Sequence, residues 1–426
     1  MQYGLIGRHL PHSFSGIIHG LIGRYTSDEY EFNIHEIEPE DLDEFLLNKD
    51  FKGINVTIPY KEKVIPYLDH IDDAAKAIGA VNTIVNKDGK LYGYNTDYYG
   101  LRDLIIHAGI DLKGKKVTIL GTGGTSKTAR YVCKSLGALN IVIVSRNKPA
   151  SEDENNGSDY IYSTYDEIYD KHSDSDVIIN TTPVGMYPNA GTSAIDLEGF
   201  NNLSGVIDVI YNPLKTALVL DAEDKNIPCC GGLRMLVTQA VYGYKLFMGK
   251  SVTDDDIADI IGKVYKDVYT DKLNLVLIGM PGCGKSTVGR RLVKTYNKQL
   301  IDTDELITDK EGRPITDIFA DSGEEYFRDI ESAVIDEVSA TGGKIISTGG
   351  GAILRNKNIR ALRSNGILIF LDRPLEDLIP TSDRPLSSDI TSLKKRYEER
   401  YDIYTSAADI RVTDTDTTEE AIENYL

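Results

Sequence analysis

The chain has 426 residues, 41% of them hydrophobic and 27% charged, which marks an ordinary globular protein long enough for two or three domains with full-sized cores. Its 66 acidic and 47 basic side chains leave a formal net charge of -19. Nucleic-acid and anionic-membrane contacts need a basic surface that displaces counterions, so this balance argues against both and requires local pockets for anionic ligands.

Four cysteines, Cys133, Cys229, Cys230 and Cys283, form no C-x-x-C pair and no Cys/His cluster at ligand spacing, so no disulfide framework or zinc site is expected. The first residues do not read as a leader, and no apolar run reaches the roughly 18 residues of a spanning helix. The expectation is a reduced, cytoplasmic protein.

In chain order, the first hundred residues hold four polar clusters: His12-Ser13-Phe14-Ser15, Asn55-Val56-Thr57-Ile58-Pro59-Tyr60-Lys61, Gly79-Ala80-Val81-Asn82-Thr83 and Gly93-Tyr94-Asn95-Thr96-Asp97. Taken singly, Ser13, Ser15 and Asn82 read as caps or turn residues, and Lys61 and Asp97 as surface charges. Short β-branched runs follow, at Val117–Leu120, Ile141–Val144, Val177–Asn180 and Val206–Val209. They alternate with helical stretches, the signature of a parallel sheet with crossovers.

The first of these strands runs into Gly121-Thr122-Gly123-Gly124-Thr125-Ser126 and then a predicted helix containing Ala129 to Ser135. Gly121, Gly123 and Gly124 would let the backbone turn tightly against a pyrophosphate facing the helix's first amides; Ser126 stands where a third glycine is usual. A lone glycine turn serves structural ends as often, but this strand-turn-helix setting favours a nucleotide. The next strand ends in Ser145-Arg146-Asn147-Lys148. An NAD site would place a carboxylate there, whereas Ser145 and Arg146 suit the 2'-phosphate of NADP; a solvated basic turn is the alternative. The polar stretch Ser151 to Ser158 reads as a surface loop.

An acid-rich helical stretch, Thr253 to Tyr269, precedes a restart at Leu275-Val276-Leu277-Ile278-Gly279, so a boundary is placed near Lys272. Gly279-Met280-Pro281-Gly282-Cys283-Gly284-Lys285-Ser286 satisfies G-x-x-x-x-G-K-[ST] between this strand and a helix over Thr287 to Thr295. Amides around Gly279, Gly282, Gly284 and Thr287 would cradle ATP phosphates, Lys285 would reach the β and γ oxygens, and the Ser286 hydroxyl would ligate Mg2+. Further on stand Asp302-Thr303-Asp304, Gly323 to Glu331 with Phe327-Arg328, Gly349-Gly350-Gly351, Arg384-Pro385-Leu386, and Arg400 before Tyr404. Alone, the aspartates read as a strand-end turn and the arginines as solvated charges.

The N-terminal clusters, with Asn180-Thr181-Thr182-Pro183-Val184-Gly185-Met186, Asp208, Tyr211-Asn212-Pro213 and Gly232 through Gln239-Ala240, resemble shikimate dehydrogenases over residues 1–262. The resemblance implies that Lys61 and Asp97 flank the hydroxyl or ketone that exchanges hydride with the nicotinamide. Chemistry agrees: the forming alkoxide needs a proton, and an ammonium oriented by a carboxylate both donates it and stabilises the charge. The resemblance further implies that Ser13 and Ser15 hold the substrate carboxylate while Asn55, Thr57, Asn82, Tyr211 and Gln239 read hydroxyls. Gly16 replaces the family's common Pro, and Gly20 its usual Asn, which suggests an altered loop stiffness.

From Leu275 to the end, the motifs resemble shikimate kinase. That implies Asp304 at the accepting hydroxyl as its candidate base, Asp302 helping to hold Mg2+, Arg328 and Arg400 on the substrate carboxylate beside Gly350, and Arg384 on a lid closing over ATP. The stretch Asp372 to Arg384 is shorter than the family's lid region, which predicts weaker nucleotide retention.

The expected architecture is α/β throughout. Residues 1–101 with 235–262 would form the substrate domain and 102–234 a Rossmann-like NADP-binding domain; 263–273 would be a short connection and 274–426 a P-loop kinase domain on a central parallel sheet. The expected function is NADPH-dependent reduction of 3-dehydroshikimate to shikimate, then MgATP-dependent phosphorylation to shikimate 3-phosphate. Its partners are these small molecules rather than nucleic acid or membrane, with the oligomeric state open. Two alternatives stay open: an NAD-dependent quinate/shikimate-type oxidoreductase fused to a kinase of another polyol or acid, and a regulatory protein that binds without turnover.

Overall fold

A computed structural model describes residues 2–10, 13–28, 30–147, 160–249, 252–378 and 390–426. The chain divides into two compact units, one of Met1–Met186, Thr192–Tyr211 and Asp221–Val268, the other of Tyr187–Gly191, Asn212–Leu220 and Tyr269–Leu426.

The first unit holds two six-stranded sheets. One is mixed, in the order Phe32–Glu36, Tyr3–Gly7, Gly53–Val56, Thr83–Lys87, Lys90–Tyr94, His70–Ile71. Parallel pairing of Tyr3 with Phe32 and with Gly53 gives way to antiparallel pairing of Gly53 with Val85. Tyr3–Gly7 and Gly53–Val56 are buried along their whole length, as central strands are. Ile6, Leu46, Ile54, Val56, Tyr60, Ile84 and Leu91 fill one core against this sheet.

The second sheet is wholly parallel, in the order Cys229–Cys230, Gly205–Asp208, Val177–Asn180, Lys116–Leu120, Asn140–Ser145, Ile161–Thr164. The predicted strands are all present, Val177–Asn180 with the expected ends. Strand order reverses on either side of Lys116–Leu120, so a crevice opens beyond its carboxyl end, where Gly121 follows. Arg234 ties the helix Leu233–Met248 to the helix Asp97–His107, its Nε donating to Asp103 Oδ2 at 2.8 Å; Thr238 Oγ1 donates to the same oxygen at 2.8 Å.

Gly16 and Gly20 lie inside the helix Ser15–Thr26 rather than in a loop, so their effect is on helix propensity rather than loop stiffness. Most of the expected connection 263–273 is helical, belonging to the 19-residue helix Asp254–Lys272.

The second unit carries a five-stranded parallel sheet, in the order Gln299–Asp302, Lys344–Ser347, Asn274–Ile278, Gly366–Leu371, Ile410–Val412. Its central strand is wholly buried and feeds the glycine loop, and the helix Lys285–Tyr296 leaves from that loop. Among the described residues, no helix is long and apolar enough to cross a membrane.

Candidate active sites

In the first unit, buried amides and hydroxyls build a scaffold beside Asp97. Asn55 Nδ2 donates to Thr83 Oγ1 at 3.0 Å, and Asn82 clamps Thr96 by accepting from its backbone N at 2.6 Å and donating to its Oγ1 at 3.1 Å. Asn95 Nδ2 donates to Ala80 O at 2.9 Å. These bonds satisfy the polar groups of a buried strand end and fix Thr96, the residue that caps the helix starting at Asp97.

Lys61 is held from the other side, Val81 N donating to its carbonyl at 2.8 Å. The result is a contact of 2.6 Å between Lys61 Nζ and Asp97 Oδ2, with the side chains 19% and 10% exposed. A largely desolvated ammonium aimed by a carboxylate, with some solvent access left, is the arrangement proton delivery needs.

The other N-terminal candidates are fixed by contacts of their own. Ser15 N donates to Ser13 Oγ at 3.3 Å, and the Phe14 ring between them lies 5.3 Å from that of Tyr211, whose phenol is pushed up by burial. Thr57 N donates to Ile6 O at 3.0 Å. Gln239 Nε2 donates to Leu236 O at 2.9 Å, within the helix that also abuts Asn55: a Cβ on Gly243 would sit 3.2 Å from Asn55 Nδ2. His19, absent from the sequence reading as a site residue, is 1% exposed, stacked 3.7 Å from Phe32, with Nδ1 2.5 Å from the Tyr30 hydroxyl.

At the crevice beyond Lys116–Leu120, Gly121 has φ +102° and approaches Thr181 and Thr182 so closely that a Cβ would lie 3.0 Å from Thr182 Cγ2. Gly123 caps the helix Gly124–Ser135, leaving its first amides facing the crevice, and Ser126 is fully buried in that helix's first turn. Ser145 Oγ donates to Asn147 O at 2.6 Å, and Arg146 is exposed at the end of the adjacent strand. Lys148 and the stretch 151–158 lie outside the described residues.

In the second unit, Lys285 is 5% exposed and donates to the carbonyls of Gly279 at 2.9 Å and Met280 at 3.0 Å. Ser286 Oγ donates to Asp302 Oδ2 at 3.0 Å, Ser347 Oγ donates to the same oxygen at 3.0 Å, and Asp304 N donates to Oδ1 at 3.1 Å. The Asp302–Ser347 contact follows from the register that pairs these two residues across neighbouring strands. Gly282 and Gly284 take the positive φ values, +80° and +97°, that turn the loop around its amides.

The Gly349 to Gly351 turn runs through the rest of the site. A Cβ on Gly349 would lie 2.6 Å from Asp304 Oδ1, one on Gly350 2.8 Å from Pro281 Cδ, and one on Gly351 2.2 Å from Arg328 Nη1. Arg400 Nη1 donates to Gly350 O at 3.1 Å. Asp304, Arg328, Arg400 and the phosphate loop thus converge on one glycine turn.

Sequence reasoning left Glu331 and Tyr404 without a role. Glu331 is fully buried and takes Arg328 Nη1 at 2.6 Å, while Arg328 Nη2 reaches Glu324 at 3.2 Å. Burial raises the Glu331 carboxyl against the pull of Arg328, and nearby Asp304 adds to the rise. The i,i+3 spacing from Arg328 was the signal available for it. Arg384 lies outside the described residues.

A shikimate dehydrogenase of Clostridium beijerinckii that uses NADP(+) is 40% identical over 243 residues, 56% of this chain and 88% of that protein. The chain belongs to the shikimate dehydrogenase family. The family model of the shikimate dehydrogenase substrate-binding domain matches residues 5–84, and that of shikimate kinase matches residues 281–426.

Among solved structures, shikimate dehydrogenase 1 of Peptoclostridium difficile is 37% identical with a TM-score of 0.57, covering 63% of this chain and 99% of that one. A chorismate mutase/shikimate 5-dehydrogenase fusion from Clostridium acetobutylicum is 33% identical with a TM-score of 0.56, covering 62% of this chain and 97% of that one. The chain therefore joins a shikimate dehydrogenase to a shikimate kinase domain, and both expected enzyme classes stand.

Proposed function

We propose that this chain performs consecutive reactions of the shikimate pathway: reduction of 3-dehydroshikimate to shikimate with NADPH, and phosphorylation of shikimate to shikimate 3-phosphate with MgATP. The observation that carries the reading is one chain holding both the partly buried Lys61–Asp97 pair and the glycine turn shared by Asp304, Arg328 and Arg400.

The crevice beyond Gly121 fits a dinucleotide, because Gly123 and Gly124 leave open space at the turn, helix amides back it, and exposed Arg146 can take a 2'-phosphate. NADPH supplies the hydride. In this reading Ser13 and Ser15 bind the substrate carboxylate, and Asn55, Thr57, Asn82, Tyr211 and Gln239 orient the ring through its hydroxyls. Lys61 delivers a proton to the carbonyl oxygen as it becomes an alkoxide, and Asp97 keeps the ammonium aimed.

In the kinase domain the residues present fit Mg2+ and a triphosphate: a hydroxyl and a carboxylate oxygen meet at Ser286 and Asp302, and Lys285 stands within the loop. Mg2+ and ATP supply the activated phosphoryl group. Asp304 takes the proton of the 3-hydroxyl, and Arg328 and Arg400 fix the carboxylate, for which Arg328 must share its fork with Glu331.

The test gives the purified chain 3-dehydroshikimate, NADPH and MgATP together and follows products by mass spectrometry. Shikimate 3-phosphate is expected. Shikimate that accumulates unphosphorylated would overturn the kinase reading, and unused NADPH would overturn the dehydrogenase reading and favour a protein that binds without turnover.

A further inference from the structure

The hydroxyl of Tyr404 stands between two backbone carbonyls that belong to different halves of the kinase site. It lies 3.0 Å from Gly279 O, the first carbonyl of the phosphate loop, and 2.5 Å from Gly350 O, the middle of the glycine turn. Each carbonyl already accepts from a cation of the site: Gly279 O from Lys285 Nζ at 2.9 Å and Gly350 O from Arg400 Nη1 at 3.1 Å. Tyr404 and both glycines are buried, so no solvent can replace a lost donor at either oxygen.

A phenol has one proton and can donate to one carbonyl at a time. Burial raises the Tyr404 phenol, which keeps it protonated and a donor. The ring cannot move away, because it stacks on Phe370 with centroids 5.0 Å apart, in the strand paired with the one that feeds the loop. What can change is where the single proton points.

The geometry points to Tyr404 as a positioning residue that couples nucleotide binding to the acceptor pocket of the kinase domain. When Lys285 turns from Gly279 O toward phosphate oxygens, that buried carbonyl loses its donor and draws the Tyr404 proton. Gly350 O then rests on Arg400 alone, which pins one arm of the guanidinium and leaves the remaining N–H groups aimed at the substrate carboxylate. Nucleotide and shikimate should therefore tighten each other's binding by the same factor. Tyr404 occupies the fourth position after Arg400 on one helix, which places both side chains on the same face.

This inference rests on shikimate being the kinase substrate. The test measures the dissociation constant of shikimate by calorimetry with and without MgADP, for the wild-type chain and for Tyr404→Phe, which keeps the stacked ring and removes the hydroxyl. The wild type should show tighter shikimate binding with MgADP. The variant should lose about five- to tenfold of that coupling while each ligand alone binds within about threefold of wild type.

Coupling that survives in Tyr404→Phe, or is absent from the wild type, overturns the inference. Equal weakening of both ligands with coupling intact does so too, since it marks a merely structural tyrosine. Should the variant fail to fold, hydrogen exchange on the wild type decides: MgADP alone should slow exchange at Gly349 to Gly351, and an unchanged rate there overturns the inference. Shikimate that neither binds nor is phosphorylated by the wild type would instead sink the kinase reading itself.

Discussion

Lys61→Met removes the ammonium while keeping a side chain of similar length, so it isolates proton delivery from packing. A positioned general acid contributes about a hundred- to ten-thousand-fold, and kcat for 3-dehydroshikimate reduction should fall by that much. Asp97→Asn keeps shape but breaks a charge-assisted bond of 2.6 Å in a site only 10–19% exposed. A bond of that kind is worth ~1.5–3 kcal/mol, which converts to about a ten- to hundredfold loss in kcat/KM. Because Asp97 acts through Lys61, the double variant should be no worse than Lys61→Met alone. The assay follows NADPH absorbance, with shikimate phosphorylation by the same preparation as control, since it uses neither residue. Lys61→Met activity within about threefold of wild type, or losses that multiply in the double variant, would refute the assignment.

Arg146→Ala should raise the KM for NADPH by about ten- to a hundredfold and leave that for NADH nearly unchanged, as steady-state kinetics with both cofactors would read; equal losses with both would place Arg146 outside phosphate recognition. Asp302→Asn should raise the Mg2+ concentration for half-maximal phosphorylation by about ten- to a hundredfold, measured by Mg2+ titration at saturating ATP; an unchanged requirement would assign the ion to other residues. Burial depresses the His19 imidazole from 6.5 to about 3, so between those values the unfolded chain takes a proton that the folded chain refuses. The stabilising contribution is therefore complete above about pH 6.5 and lost on acidification, amounting to ~2 kcal/mol between about pH 7 and 5. Urea titrations at those two pH values should show a shallower loss for His19→Gln, and an identical loss would remove His19 as the titrating group.

Both parallel sheets and both glycine loops were legible because each signal is local: a β-branched run, a turn, and the start of a helix within about twenty residues. Lys61 and Asp97 were legible only as members of motifs, since nothing in a separation of 36 positions says that their side chains meet at 2.6 Å. Ser347 left no signal at all: its bond to Asp302 exists because strands 45 residues apart pair in one register. Gly16 and Gly20 were misjudged as loop residues because glycine is a turn signal, whereas packing of Ile18 and Ile22 holds the helix through them.

The two sites meet the same carboxylate and hydroxyls with opposite chemistry, and the difference follows from what each reaction does to charge. Reduction gathers charge on one oxygen and needs a single ammonium beside it, so in the proposed reading neutral Ser13 and Ser15 suffice for the carboxylate and do not compete with Lys61. In the proposed reading, phosphoryl transfer brings a polyanion and Mg2+ near a carboxylate substrate, so a pocket with two guanidiniums is suited to hold that substrate against repulsion, with Glu331 fixing the fork of Arg328. In the proposed reading, the oxygen that receives a proton from Lys61 is the one that later gives a proton up at Asp304, because ketone and phosphate ester share carbon 3. The products of the first site therefore need no chemical change before the second, and the sharpest discrimination required of the kinase domain is between a hydroxyl and a ketone at that carbon, which Asp304 as an acceptor is suited to make.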